Sequence, residues 1–171
     1  YRELIGQRQG ALRAAVAVLF GLIAGLPAAA HWQEWALFRN AVSFGIADEQ
    51  FRKILDNNIV ANHWLISMTV PQMIERKAGS IIIVSSIGGL RGSPIIGAYC
   101  ISKAADMQLA RNLAVEYGPH NVRVNCIAPG LIKTDFAKAL WEDAELLAQR
   151  NATTPLRRIG EPDEIAGAAV F

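Results

Sequence analysis

The sequence predicts an α/β fold, one domain in which helices flank a parallel sheet. Three observations carry that expectation. Gly79-Ser80-Ile81-Ile82-Ile83-Val84-Ser85-Ser86 is a β-branched run that ends in small hydroxyl residues, the pattern of a buried parallel strand. Val122 to Ala128 is a second apolar run, and it breaks at Pro129-Gly130. Stretches with helical spacing precede, separate and follow the two runs, which suits right-handed strand–helix–strand units in one sheet.

The elements follow in order. Ala14 to Ala30 is almost wholly apolar, follows Arg13, and ends in Ala28-Ala29-Ala30, which has the look of a signal-peptidase site. A membrane span needs about 20 apolar residues, and Gly21, Gly25 and Pro27 interrupt this one. The expected structure is a helix from Gln9 to Leu19 and then a turn at Gly25 into a short strand; a membrane anchor is the poorer alternative. Ala47-Asp48-Glu49-Gln50 opens the next helix, with Asp48 as its cap and Phe51, Ile54 and Leu55 at helical spacing. Another helix is expected from about Asn58 to Arg76, kinked or divided by Pro71. Ile81 to Ser85 is the first strand. Ile87 to Ile96 is rich in glycine and reads as a loop. A long helix runs from Gly97 to Tyr117 and stops at Gly118-Pro119. Val122 to Ala128 is the second strand. Lys133 to Arg150 is expected to be mainly helical, with Trp141, Leu146 and Leu147 as apolar contacts, and Thr153-Thr154-Pro155 breaks it. The last helix starts near Glu161-Pro162-Asp163-Glu164, where proline and acids suit a positive helix end.

Composition narrows the function classes. Hydrophobic residues make up 52% of the 171, as suits strands covered on both faces. A net charge of +2, with no basic run longer than Arg157-Arg158, gives no reason to expect a nucleic-acid partner. Cys100 and Cys126 do not make a disulfide framework and read as small buried residues. His31, His63 and His120 lack metal-ligand spacing, so no metal is expected.

The chemistry is concentrated in Ala98-Tyr99-Cys100-Ile101-Ser102-Lys103. On a helix, positions i and i+4 share a face. An ammonium held close to a phenol favours the phenolate and lowers its pKa from about 10, so that a tyrosine can pass a proton near neutral pH. Ser86 precedes Tyr99 at a strand end, and Asn58 lies on the preceding helix. In open α/β sheets ligands sit at the carboxyl ends of strands. Taken singly, each residue has a plainer reading: a surface tyrosine, a solvated lysine, a serine capping a turn, an asparagine bonded to backbone.

Five segments together say more. They are Leu55-Asp56-Asn57-Asn58-Ile59, Ile83-Val84-Ser85-Ser86, Tyr99 to Lys103, Val122 to Gly130, and Pro155-Leu156-Arg157-Arg158-Ile159-Gly160-Glu161-Pro162. In order and spacing they resemble the short-chain dehydrogenase/reductase family, and the resemblance runs from about Asp48 to Phe171. It implies a Rossmann-like doubly wound parallel sheet flanked by helices in a single domain. It also implies NADP or NAD as cofactor, and hydride transfer between a carbonyl and an alcohol. Tyr99 would be the general acid/base, and Lys103 would ease its deprotonation and bind the nicotinamide ribose. Ser86 would hold the substrate oxygen, and Asn58 a water that links Lys103 to solvent. Pro129, Gly130, Ile132 and Thr134 would pack beside the nicotinamide and its phosphate. Family members associate as homodimers or homotetramers through two helices, here near 58–76 and 97–117. A cytoplasmic location is expected.

Substrate choice is expected in Asp135 to Thr154 and Leu90 to Ala98, where Phe136, Leu140, Trp141, Ile95 and Ile96 suggest an apolar small-molecule substrate. Residues 1–45 match only weakly, and 46–171 form the catalytic part. The family's glycine-rich turn and its Asn-Asn-Ala-Gly turn do not occur, Asn40-Ala41 being at best a remnant, and its last strand would lie after Phe171. Arg8 is the candidate for the 2′-phosphate of NADP. A core strand deleted from a parallel sheet would expose edges and apolar faces. The missing pieces are therefore expected to exist in the polypeptide. The alternative is a non-catalytic remnant that keeps the sheet as an association module.

Overall fold

The computed structural model describes residues 46–171. The expectations for Arg8, for the apolar stretch 14–30 and for Asn40-Ala41 lie outside the described residues. These described residues fall into two compact units, residues 46–130 and residues 131–171.

In the first unit, α1 (Asp48–Leu55) passes without a break through a π turn (Asp56–Val60) into α2 (Ala61–Glu75). Three features differ from expectation. The cap position is Ala47, with no side-chain cap, and Asp48 lies in the first turn, where its charge still favours the helix's positive end. The two expected helices join, because the Ala61 N–H reaches back five residues to the Asp56 carbonyl instead of ending the helix. Pro71 lies inside α2 and does not divide it.

Strand β1 (Gly79–Val84) pairs in parallel with β2 (Val122–Ile127), in register Gly79↔Val122 through Val84↔Ile127. Between them run a 3₁₀ turn (Ile87–Leu90) and α3 (Gly97–Tyr117). Asn121 makes the turn into β2 with a left-handed backbone, φ 58°, and its side-chain amide donates to the Lys77 carbonyl. One face of the sheet is core: Ile81, Ile83, Val122 and Val124 pack on Ile66 and Val70 of α2 and on Ala110 and Leu113 of α3. On the other face Arg123 and Asn125 are exposed and Ile82 and Val84 half-buried, so the described residues cover it only in part. Cys100 is buried and Cys126 half-buried, and both are free thiols.

The described part of the second unit is less regular than one long helix. Ile132 and Gly160 form a parallel bridge, with Lys133 N–H donating to Gly160 O and Gly160 N–H to Leu131 O. A Cβ on Gly160 would stand 2.6 Å from Ile132 Cδ1, the end of a side chain that would have to turn aside. A 3₁₀ turn (Asp135–Ala137), α4 (Lys138–Trp141) and α5 (Ala144–Thr153) follow. Asp143 accepts from the N–H groups of Glu145 and Leu146, and this cap starts a new helix where one continuous helix was expected. Leu146 is exposed rather than packed. Helix α6 (Pro162–Val170) opens with a capping box between Glu161 and Glu164.

Candidate active site

The carboxyl ends of the two strands are tied together. Ser85 N–H donates to Ile127 O at 2.8 Å, and Ile87 N–H to Pro129 O at 2.9 Å. The buried Ser85 hydroxyl donates to the carbonyl of Lys103 at 2.7 Å, which fixes α3 against the end of β1. Tyr99 and Lys103 lie one turn apart on α3, and the Lys103 ammonium is 5.8 Å from the centre of the Tyr99 ring. That ammonium donates to Val84 O at 3.1 Å and to Asp106 Oδ2 at 2.9 Å.

Ser86 caps the 3₁₀ turn, its oxygen accepting from Gly88 N–H at 3.0 Å, which leaves its own proton to donate. A Cβ built on Gly88 would be 3.4 Å from Ser86 Oγ and 3.6 Å from Tyr99 Cε1, so the serine hydroxyl and the tyrosine ring flank one small space. Asn58 sits on the π turn, a helix irregularity common at functional sites. Its amide donates to Ser102 Oγ at 2.9 Å, and Ser102, wholly buried, donates to the Tyr99 carbonyl at 2.8 Å. All four sequence-predicted residues therefore belong to one unit and converge around the start of α3.

Sequence reasoning passed over Asp106, Asn62 and Ser102. Asp106 has no exposed surface, and each of its oxygens is occupied: Oδ2 by Lys103, and Oδ1 by Asn62 Nδ2 at 2.9 Å. Burial raises its pKa, with the charge and hydrogen bond of Lys103 and the hydrogen bond of Asn62 pulling the other way. Burial also raises the Cys126 thiol, and the charge of Asp106 adds to it. The signal available in sequence was an acid three residues beyond Lys103, within a helix face otherwise carrying Met107, Ala110 and Leu113. A cleft of about 330 Å³ lies elsewhere in the same unit, lined by Leu90, Met107, Arg111 and Cys126 among others, and none of the four predicted residues lines it.

Pro129 and Gly130 follow β2 in the first unit. Ile132 and Thr134 stand in the second, where Ile132 forms the bridge to Gly160. Thr134 Oγ1 accepts from Ala137 N–H, so its hydroxyl proton remains to donate. Trp141 donates from its indole nitrogen to Thr134 O at 2.9 Å, and Lys133 Nζ lies 5.7 Å from the centre of the Trp141 ring. Ile95 is exposed and Ile96 half-buried at the entry to α3. Among the described residues no cluster of His, Cys, Asp or Glu could hold a metal, and no helix is long and apolar enough to cross a membrane.

A family model described as enoyl-(acyl carrier protein) reductase matches residues 10–171. Dehydrogenase/reductase SDR family member 4 of Bos taurus is 46% identical over 126 residues, which cover 74% of this chain and 45% of the relative. The chain belongs to the short-chain dehydrogenase/reductase family. It spans about half the length of the curated relatives it matches. Two solved structures of dehydrogenases show the same Rossmann-type fold. A gluconate 5-dehydrogenase from Burkholderia cenocepacia, in complex with NADP and tartrate, is 26% identical with TM-score 0.74; the match covers 78% of this chain and 52% of that one. A 4-hydroxyisoleucine dehydrogenase complexed with NADH is 30% identical with TM-score 0.72; that match covers 76% and 54%. The short-chain dehydrogenase/reductase assignment thus covers the strands, α3 and the residues between them, the part that carries Tyr99 and Lys103.

Proposed function

We propose that this chain carries the proton-transfer half of an NAD(P)-dependent oxidoreductase acting on a small carbonyl or secondary alcohol. The observation that carries the reading is the Lys103 ammonium beside the Tyr99 ring, clamped at the carboxyl end of β1. When bound, the nicotinamide supplies or accepts the hydride at the substrate carbon. Tyr99 gives its phenolic proton to the carbonyl oxygen during reduction and takes it from the alcohol during oxidation. The Lys103 charge stabilises the oxyanion left on Tyr99. Ser86 donates its hydroxyl proton to the substrate oxygen, across the small space it shares with the phenol ring. Asn58 holds the start of α3 through Ser102, and a water at Asn58 that links Lys103 to solvent is part of this reading.

The donor set suits a nicotinamide nucleotide. Lys103 offers an ammonium for ribose hydroxyls. Pro129, Gly130, Ile132 and Thr134 would hold the carboxamide and nearby phosphate, for which Thr134 keeps a proton to donate. Relatives in fold bind NADP or NADH, and Arg8 favours NADP here. Phe136, Leu140, Trp141, Ile95 and Ile96 favour an apolar substrate. Exposed Trp64 and Met68 on α2, with Ile101 and Val115 on α3, suit association into a homodimer or homotetramer, which light scattering on the purified protein would measure. A cytoplasmic location accords with a nicotinamide-dependent reaction.

Two measurements test the reading. Titration with NADPH and NADH should give a saturable fluorescence change, which a non-catalytic remnant lacks. Tyr99→Phe should abolish turnover of a panel of small ketones and aldehydes while leaving the circular dichroism spectrum unchanged. Retained turnover in that variant would sink the assignment of Tyr99.

A further inference from the structure

We infer that Asp106 and Asn62 are positioning residues for the Lys103 ammonium, so that proton handling at this site depends on a chain from Tyr99 through Lys103 and Asp106 to Asn62. The inference rests on the reading of Tyr99 and Lys103 given above. It begins from burial. Asp106 is 0% exposed and the Lys103 side chain 12%. A carboxylate removed from water must find partners within the protein, and this one has Lys103 on one oxygen and Asn62 on the other, each at 2.9 Å.

Packing alone gives no reason for a charge there. Asp106 lies beside Met107 and one turn from Ala110, both buried. A buried ion pair generally adds little over well-packed apolar residues of the same volume. What the carboxylate adds is a fixed address for a charge that sits on a flexible four-carbon stem. An ammonium has three N–H bonds. Two donate to Asp106 Oδ2 and Val84 O, and these two bonds hold the charge 5.8 Å from the centre of the Tyr99 ring.

Asn62 ties this anchor to the π turn. Its amide nitrogen donates both to the Asn58 carbonyl at 2.6 Å and to Asp106 Oδ1 at 2.9 Å. The Asn58 side chain reaches the Tyr99 carbonyl through Ser102. One turn of the chain thus refers to both members of the pair, to Tyr99 through Asn58 and to Lys103 through Asn62. Neither the sequence pattern nor the resemblance assigns Asp106 or Asn62 a role.

The test compares the purified protein with Asp106→Asn, in the presence and absence of Lys103→Met. The readouts are kcat and KM for a carbonyl substrate and the NADPH dissociation constant from fluorescence titration. Asp106→Asn should lower kcat by about 10- to 100-fold, the scale of a misplaced catalytic group. It should also weaken NADPH several-fold and leave the carbonyl KM within about twofold. In the Lys103→Met background the same substitution should change neither quantity, since it acts through a group no longer there. A folded Asp106→Asn protein with the parent's kcat and NADPH affinity overturns the inference, as does an undiminished effect in the Lys103→Met background. Should Asp106→Asn not fold, Asn62→Ala keeps the ion pair and frees the carboxylate to turn. It should give the same signature at several-fold, and an unchanged kcat there is equally fatal. Loss of turnover in Tyr99→Phe with no effect at Asp106 or Asn62 rejects this inference alone. A parent protein that binds neither NADPH nor NADH rejects the proposed function, and this inference with it.

Discussion

Gly89 offers a test of how tightly the site is built. It sits in the 3₁₀ turn that follows β1, where a Cβ would stand 2.7 Å from the carbonyl carbon and oxygen of Lys103 and 2.8 Å from the nitrogen of Ala104. Those are backbone atoms inside α3, which cannot swing aside as a side chain could. Carbon contacts settle at about 3.5–4.0 Å, so Gly89→Ala must push the turn from the helix by nearly 1 Å. Overpacking of this kind costs about 1–3 kcal/mol. For a chain of this size each kcal/mol lowers the melting temperature by about 2–4 °C, so Gly89→Ala should melt roughly 2–12 °C lower. Neighbouring glycines supply the controls. At Gly88 a Cβ meets its nearest atoms at 3.4 Å, an ordinary contact, and at Gly92 it meets nothing within 4 Å. Thermal melts followed by circular dichroism should therefore rank Gly89→Ala well below Gly88→Ala and Gly92→Ala. A Gly89→Ala protein that melts with the parent would refute the close approach, and with it the placement of Ser86 relative to Tyr99.

Two further predictions concern ionisable groups. Hydrogen bonds from Arg158, and then from the Glu161 N–H, hold Glu164 down to about 2. A depressed carboxylate contributes stability above its ordinary value of about 4.3 and loses it as pH falls through the folded value. The stability gap between the parent and Glu164→Gln should therefore be full at pH 7 and close between about pH 4.3 and pH 2, and high salt should shrink it because the pair is exposed. A gap that does not change with pH would contradict this. Burial raises the Cys100 and Cys126 thiols, so iodoacetamide at pH 7 should label both more slowly than free cysteine, as read by mass spectrometry. Labelling at the free rate would show that these thiols are not enclosed as described.

The parts of this protein that sequence made legible are those set by local pattern. The long helix Gly97–Tyr117 has the bounds its spacing implied, because a glycine-proline pair follows it and apolar residues recur along it. The strands were readable from their β-branched runs, to within two residues, and their parallel pairing from the helix between them. Tyr99 and Lys103 were legible because one helical turn separates them. Asn62 and Asp106 were not, since their contact joins residues 44 apart. Nothing local shows which face of α2 meets α3. The stretch after Lys133 misled for a similar reason. Its helical composition is real, but the Lys133 N–H is taken by Gly160, far along the chain, and Asp143 starts a new helix midway. Local propensity gave way to partners that local propensity cannot name.

The π turn at Asp56–Val60 has one more consequence. A π turn amounts to one extra residue lodged in an α-helix, and each residue of an α-helix turns its neighbours by roughly 100°. The helix before the turn and the helix after it are therefore out of phase by about that angle. Deleting a single residue there would yield a more regular helix and, at the same stroke, swing Asn62, Ile66 and Val70 off their partners as a group. The local backbone would improve while the core and the Asp106 anchor were lost together. An irregularity of one residue is thus what keeps the outer helix and the Tyr99 helix in step.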